Sequence, residues 1–415
     1  MPQNVFDTLR ERGFVYQVSD EAGLRKALEQ PITMYCGFDP TAPSYHVGNL
    51  MGFMVLAHFQ HAGHRPIALM GGGTALIGDP GGKTTTRPVL SEEEISANLP
   101  RLQGQVARYL DFDAGNALML NNADWLTRLN YIEFLRDTGR HFTVARMLSA
   151  EVYKTRVESG LNFVEFNYML LQAYDFLHLY REYGCILQTG GSDQWSNILA
   201  GTDLIRREER GEAFVLVTEL LSTASGQKMG KTEKGAVWLD PSLTSPYEYY
   251  QYWINTEDAD VEKFLALFTF LPMDRVRELG RLQGADLRQA KEVLAFEATK
   301  ITHGFEDAEK VRESSRERFA GRTVHASGAA QGAGENFAEA TVIPPYEVAR
   351  ASLEAGIAVH ELFADAFGKS RREAREIIGA GGCYFQDEPV KPRQTINSEG
   401  FLRWGKKDYR RLVAS

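Results

Sequence analysis

Three glycine-rich turns carry side chains that could do chemistry. The first, Met34 to Asn49, reads as a buried strand, a proline-bearing turn and the first turn of a helix, with His46, Gly48 and Asn49 at the helix start. Unpaired N–H groups and the positive end of the helix dipole favour a phosphate there, and Gly48 would let a base or ribose lie on bare backbone. As residues alone, they equally fit a helix start that happens to hold a histidine. The second turn, Gly190-Gly191-Ser192-Asp193-Gln194-Trp195, follows a strand and offers a carboxylate and an amide suited to ribose hydroxyls or a polar substrate. The third, Ser225 to Gly235, presents Lys228 and Lys231 on either a movable cationic loop or a surface hairpin.

Two further groups belong with these. The run from Gly71 to Thr84 resembles a P-loop but has Ile77 where that pattern needs glycine, so it is not one. It offers glycines for close backbone approach, the carboxylate of Asp79, and Lys83 with Arg87, a pair that could hold outer phosphates or simply sit in solvent. Tyr168, Gln172 and Asp175 recur at i, i+4 and i+7, so they share one face of an apolar helix expected over Phe163–Tyr183. A polar stripe on such a helix lines a pocket or satisfies a core network.

The elements that must position these groups follow a strand–helix–strand pattern. Ile32–Phe38, a helix over Val47–Ala62 and Pro66–Met70 form a βαβ unit, the start of a parallel sheet whose ligands belong at the carboxyl ends of its strands. Further strands are expected at Cys185–Gln188 and Val215–Leu221, and Pro246–Phe270 and Asp274–His303 read as an all-α region. The stretch 322–345 is rich in Gly, Ala, Ser and Thr and reads as a linker. In the tail, helices are expected over Val359–Phe367 and Arg371–Ile378, then strands from Cys383.

At 415 residues with 43% hydrophobic content, the chain has room for two to four domains. No apolar run approaches a membrane span and no signal architecture opens the chain, so a cytoplasmic location without membrane contact is expected. Cys36, Cys185 and Cys383 are too few and too dispersed for a disulfide framework or a zinc site. The net charge of −9 hides an asymmetry: residues 369–415 hold eleven Lys and Arg against six Asp and Glu, a surplus of +5 that leaves −14 on the rest. Lys369, Arg371, Arg372 and Arg375 cluster at the start of one tail helix, as a solvated basic face or a phosphate-backbone binder.

The constellation resembles the bacterial tyrosyl-tRNA synthetases of the class I aminoacyl-tRNA synthetase family, over nearly the whole chain. His46-Val47-Gly48-Asn49 looks like the His-Ile-Gly-His signature and Lys228-Met229-Gly230-Lys231-Thr232 like its Lys-Met-Ser-Lys-Ser partner. Tyr35 to Thr41, Gln172 to Asp175 and Gly190 to Trp195 are similar to the tyrosyl branch, and the tail around Ser370–Arg375 and Gly381–Tyr384 to its S4-type RNA-binding module. The resemblance implies a Rossmann-like α/β parallel-sheet catalytic domain (1–224), a lysine loop and connection (225–246), an α-helical domain (247–321), the linker (322–345) and an S4-like α+β domain (346–415).

It also implies formation of tyrosyl-adenylate from L-tyrosine and ATP, with Mg²⁺ accompanying ATP, then transfer to the 3′ end of tRNA(Tyr) by a homodimer. Thr41 and His46 would face the γ-phosphate; Lys83, Arg87, Lys228, Lys231 and Thr232 would close over pyrophosphate. Tyr35 and Asp175 would take the phenolic hydroxyl, Asp79, Tyr168 and Gln172 the α-amino group, and Gln194 the reacting carboxylate. Cys36, Gly191 and Asp193 would take the ribose, with Asp39, Gly37, Gly48 and Asn49 completing the ATP site; the four basic tail residues would bind RNA. Asn49 and Gly230 depart from the signatures, removing a possible charge and a hydroxyl. Tryptophanyl synthetases share the fold and signatures, but the hydroxyl-reading pair Tyr35 and Asp175 favours tyrosine. A small-molecule nucleotidyltransferase would not need the lysine loop, and a non-catalytic RNA-binding paralogue would not keep these positions filled.

Overall fold

The computed structural model describes residues 4–81, 90–158, 160–226, 229–232, 235–325, 345–386, 388–405 and 408–414. The chain separates into two compact units: residues 1–244 with 248–308, and residues 245–247 with 309–415.

The first unit is built on a six-stranded sheet: β1 (Gln17–Val18), β2 (Thr33–Phe38), β3 (Arg65–Met70), β4 (Leu118–Asn121), β5 (Cys185–Gly191) and β6 (Phe214–Thr218). Its order is β1-β6-β5-β2-β3-β4, parallel throughout except for the antiparallel edge pair β1–β6. From β2 the chain runs outward through β3 and β4, then returns to the other side of β2 with β5. The strand order therefore reverses between β2 and β5, and a crevice opens beyond their carboxyl ends. Burial explains the strand sequences: β6 is buried at all five positions and β3 at five of six, as a parallel sheet covered on both faces demands.

The helix Leu50–His61 follows β2 and buries nine of its twelve residues. The expected helix over Phe163–Tyr183 is instead two, Phe163–Phe166 and Tyr168–Tyr183, because Asn162 caps the first with a bond from Glu165 N and the chain restarts after Asn167. Gly184, at φ 61°, ends the second in the left-handed conformation that glycine tolerates best. Ala173, Phe176 and Leu177 of this helix pack with Tyr35, Ile67 and Val215 in the core against the sheet.

Each long helix expected in the all-α region is also divided. Pro246–Ile254 and Val261–Phe268 replace one, Met273–Gly280 and Leu287–His303 the other, with the acidic turn Asp258–Asp260 and the Gln283–Ala285 stretch breaking the periodicity. This region through Ala308 is compact with the sheet. Arg12, only 7% exposed, donates to the Ala266 and Thr269 carbonyls at the end of the Val261–Phe268 helix, where carbonyls lack intrahelical partners.

The second unit carries a five-stranded sheet in the spatial order Glu388–Pro389, Cys383–Phe385, Gly400–Trp404, Asp408–Ala414, Pro345–Val348. The helices Val359–Ala366 and Arg371–Gly379 share its core, Phe363 and Ile378 packing with Leu402 and Leu412. Arg371–Gly379 buries Ala374 and Ile378 and leaves Arg371, Arg372 and Arg375 exposed, with Lys369 exposed just before it. Glu361 pairs with Arg371 and Glu376 with Arg372, exposed contacts that contribute about 1 kcal/mol or less.

Candidate active site

A cleft of about 390 Å³ lies beyond the carboxyl ends of β2 and β5. Its lining brings together Tyr35, Cys36, Gly37, Asp39, Thr41, His46, Gly48, Asn49, Asp79, Tyr168, Gln172, Asp175, Gly191, Asp193 and Gln194. Lys83, Arg87 and Lys228 fall outside the described residues. Lys231 and Thr232 form a short strand pair with Gly235–Ala236, and only their backbone is described.

Asp175 sits on the inner face of the Tyr168–Tyr183 helix and is 2% exposed. Its Oδ2 accepts from Asn122 Nδ2 at 2.9 Å and its Oδ1 from Trp125 Nε1 at 2.8 Å. Burial pushes its carboxyl up to about 7, against the opposing pull of those two donors. Tyr35, on β2 and 1% exposed, has its phenol pushed well up by burial and by the nearby Asp175 charge. Among the described residues nothing partners the Tyr35 hydroxyl, Gln172 Oε1 or Gln188 Oε1, all buried and all on residues lining this cleft. A buried polar atom left so costs about 1–3 kcal/mol unless something else completes it.

Asp79, 7% exposed, accepts from Gln194 Nε2 at 2.7 Å and from Gly81 N at 2.9 Å. The Tyr168 hydroxyl donates to Asp39 Oδ2 at 3.3 Å, while Thr74 Oγ1 donates to Asp39 Oδ1 at 2.8 Å. Cys36 is a buried thiol pushed up to about 12, a neutral group and a poor nucleophile.

The first turn differs from its sequence reading in how it handles backbone N–H groups. Val47–Asn49 is a single 3₁₀ turn leading into Leu50–His61, and His46 caps it: Gly48 N donates to His46 Nδ1 at 3.0 Å, and His46 N to Asn49 Oδ1 at 3.0 Å. An accepting Nδ1 places the ring proton of a neutral imidazole on Nε2, and the Gly48 amide is already satisfied by the ring. Asn49, expected to complete the ATP site, uses its side-chain oxygen to lock the turn. Gly48 is needed because the histidine ring folds over it: a Cβ there would stand 2.7 Å from His46 Cε1. Gly230 has a similar reason, at φ +78° with a would-be Cβ 2.8 Å from Gly48 N. A serine at this position would be strained in this conformation.

The glycine run after β3 is likewise occupied by protein. Gly72 N donates to Asn121 Oδ1 and Gly73 N to Asn122 Oδ1, and a Cβ on Gly71 would collide with Asp39 Oδ1 at 1.9 Å. Its close backbone approach serves the asparagines that end β4 and Asp39.

Sequence reasoning missed Asn122, Trp125, Thr74 and Gln188. Adjacent Asn121 and Asn122 after the apolar run Leu118–Leu120 signal a polar strand end, and Gln188 is a polar residue inside an apolar strand, which asks for a buried partner. Nothing local marks Trp125 or Thr74.

The family model for class I tRNA synthetases (W and Y) matches residues 26–320. The tyrosine–tRNA ligase of Syntrophus aciditrophicus is 52% identical, the alignment covering 98% of each chain, and that of Caldanaerobacter subterraneus subsp. tengcongensis 51% identical with 99% of each covered. Among solved structures, a C-terminally truncated mitochondrial tyrosyl-tRNA synthetase of Aspergillus nidulans is 31% identical, covers 76% of this chain and 94% of its own, and superposes with a TM-score of 0.70.

Proposed function

The chain belongs to the class I tRNA synthetases of the tryptophan and tyrosine type, in the tyrosine–tRNA ligase branch, and on that premise we propose that the cleft beyond β2 and β5 is where L-tyrosine is activated. The carboxylate of tyrosine attacks the α-phosphorus of ATP, and the bond to the bridging oxygen breaks to release pyrophosphate. A tRNA(Tyr) 3′-terminal hydroxyl then takes the tyrosyl group and AMP leaves. The attacking carboxylate is already an anion, so these steps rest on positioning and on positive groups that meet developing charge. Mg²⁺ would arrive on the ATP phosphates.

The observation that carries this reading is the meeting of Asp175 with three buried polar atoms of Tyr35, Gln172 and Gln188 in the cleft that also holds the His46 turn. Tyr35 and Asp175 take the phenolic hydroxyl. Gln172 Oε1 and Asp79, with Tyr168, receive the α-ammonium, and Gln194 lies by the reacting carboxylate. Cys36, Gly191, Asp193 and Asp39 face the ribose, and Thr41 and His46 the γ-phosphate, with Gly37, Gly48 and Asn49 shaping the surface beneath. Lys83, Arg87, Lys228, Lys231 and Thr232 close over the departing pyrophosphate. Tyrosine-dependent exchange of labelled pyrophosphate into ATP tests the assignment; exchange supported by tryptophan instead, or none, would refute it.

The state of Asp175 gives a pH dependence. A carboxyl raised to about 7 must be ionised to accept from both the phenol and its two protein donors. Tyrosine affinity is therefore expected to fall about tenfold per unit as pH drops below 7 and to level off above it, with Asp175→Asn abolishing the trend. Calorimetric titrations between pH 5.5 and 8.5 measure it. For folding the sign is opposite: the native carboxyl holds its proton longer than the unfolded one, so its contribution to stability declines from about pH 4 to 7.

The tail is proposed to bind tRNA as an S4-like module through Lys369, Arg371, Arg372 and Arg375, which stand exposed on one helix and just before it. A chain ending at Pro344 is expected to form adenylate at an ordinary rate yet charge tRNA at least about tenfold more slowly, with a weaker salt dependence of tRNA binding. Equal charging by both chains would make the tail dispensable. We further propose a homodimer, supported by exposed apolar side chains concentrated between residues 131 and 164, among them Ile132 at 68%, Val144 at 61% and Phe163 at 67% exposure. Among the described residues no helix is long and apolar enough to cross a membrane. A cytoplasmic location is part of the proposal.

A further inference from the structure

The turn that carries Thr41 and His46 is gripped on two sides. On one side Ser44–Val47 runs antiparallel to Val237–Asp240: Val47 N donates to the Val237 carbonyl at 3.0 Å, Leu239 N to the Tyr45 carbonyl at 2.8 Å, and Asp240 N to Ser44 Oγ at 3.1 Å. On the other side stands the helix Glu92–Val106, started by a Ser91–Glu94 capping box. Near its end Gln105, 5% exposed, accepts through Oε1 from Tyr45 N at 3.0 Å and lies 3.2 Å from Ser44 Oγ. Two turns earlier, Asn98 Nδ2 donates to the Pro40 carbonyl at 3.2 Å.

Asn98 and Gln105 are seven residues apart, so they share one face of the helix. Their contacts fall immediately before Thr41 and immediately before His46. Neither reaches the cleft as a lining residue; each holds the backbone next to a group that does. Tyr45 N is buried, and its side-chain acceptor comes from an element sixty residues away in sequence.

We propose that Asn98 and Gln105 are positioning residues for the activation step, one helix face setting the placement of Thr41 and His46 against the phosphate that departs. This rests on the reading that His46 meets the γ-phosphate. Replacing Gln105 with methionine keeps length and apolar volume but removes the acceptor, leaving Tyr45 N and Ser44 Oγ to shift. A small displacement of the imidazole weakens a contact realised in the transition state and leaves ground-state binding largely alone.

The test is single-turnover adenylate formation by the full chain in Gln105→Met, Asn98→Ala and Gln105→Glu, each alone and in a His46→Ala background. The expected result is an activation rate constant lowered on the order of 10- to 100-fold in Gln105→Met, with dissociation constants for tyrosine and ATP within about twofold. Gln105→Glu, which keeps the accepting oxygen, recovers most of the rate. Asn98→Ala, at a half-buried site, lowers the rate in the same sense and serves if Gln105→Met fails to fold. In the His46→Ala background the Gln105→Met effect shrinks, because no imidazole remains to be placed, whereas the Asn98→Ala effect, which runs through Thr41, persists. A wild-type rate in Gln105→Met or Asn98→Ala beside a slow His46→Ala overturns the inference alone, as does the same fold-loss of Gln105→Met in both backgrounds, the mark of a merely structural role. A wild-type rate in His46→Ala overturns the reading of His46 and this inference with it.

Discussion

Asp175→Ala is expected to lower kcat/KM for tyrosine by about 10²–10³, the equivalent of about 3–4 kcal/mol, while leaving ATP binding within a few-fold of normal. Three donors depend on this carboxylate: Asn122 Nδ2, Trp125 Nε1 and, by proposal, the substrate phenol. Alanine strands all three in a site that is 2% exposed at Asp175, where water cannot readily replace the lost acceptor. Asp175→Asn is isosteric but offers one accepting oxygen instead of two. Its amide NH₂ must then face either Asn122 Nδ2 or Trp125 Nε1, donor against donor, so most of the loss is expected to persist. Phenylalanine should suffer least from either change, since it has no hydroxyl to satisfy, and the preference for tyrosine over phenylalanine should collapse. Steady-state pyrophosphate exchange with both amino acids reads the result. Near-normal tyrosine kinetics in both variants would remove Asp175 from the site.

His46→Ala is expected to slow adenylate formation by about 10²–10³ with less than about threefold change in the ATP dissociation constant. The ring is fixed at one nitrogen by Gly48 N and stands over the glycine that makes room for it, so its orientation is set by the turn itself. A donor held this way costs little reorganisation when charge moves onto the leaving pyrophosphate. The substitution also removes a cap, worth about 0.5–2 kcal/mol of folding stability, which a thermal midpoint measures separately from the rate. His46→Asn, able to cap but too short to reach as far, should restore stability without restoring rate. Stopped-flow kinetics over a range of ATP concentrations distinguish the outcomes: a weaker ATP constant with an unchanged rate would place His46 in ground-state binding only.

The two departures from the class I signatures acquire physical reasons in the folded chain. Asn49 accepts from the His46 backbone and completes a reciprocal cap, so its oxygen, not its NH₂, is the group in use. Gly230 lies in the left-handed region directly against Gly48 N. Asn49 thus serves the cap within the first signature, and Gly230 the close contact between the two.

Local pattern determined much of this protein. The βαβ start, the strand-end glycine turns, the face shared by Gln172 and Asp175, and the basic face of the tail helix are periodicities of two and 3.6 or turn chemistry, and those act over a few residues. The same locality explains what was missed. Asn122 and Trp125 reach Asp175 across about fifty positions of sequence, Thr74 reaches Asp39 across thirty-five, and Gln105 reaches Tyr45 across sixty. Only the packing of the sheet and its helices brings such groups within hydrogen-bond range. Tertiary structure also decided which potential was used: Gly72 and Gly73 amides that could have cradled a phosphate are taken by Asn121 and Asn122. Sequence fixes which donors and acceptors exist; competition among them in a dry, packed interior settles which are left for a substrate.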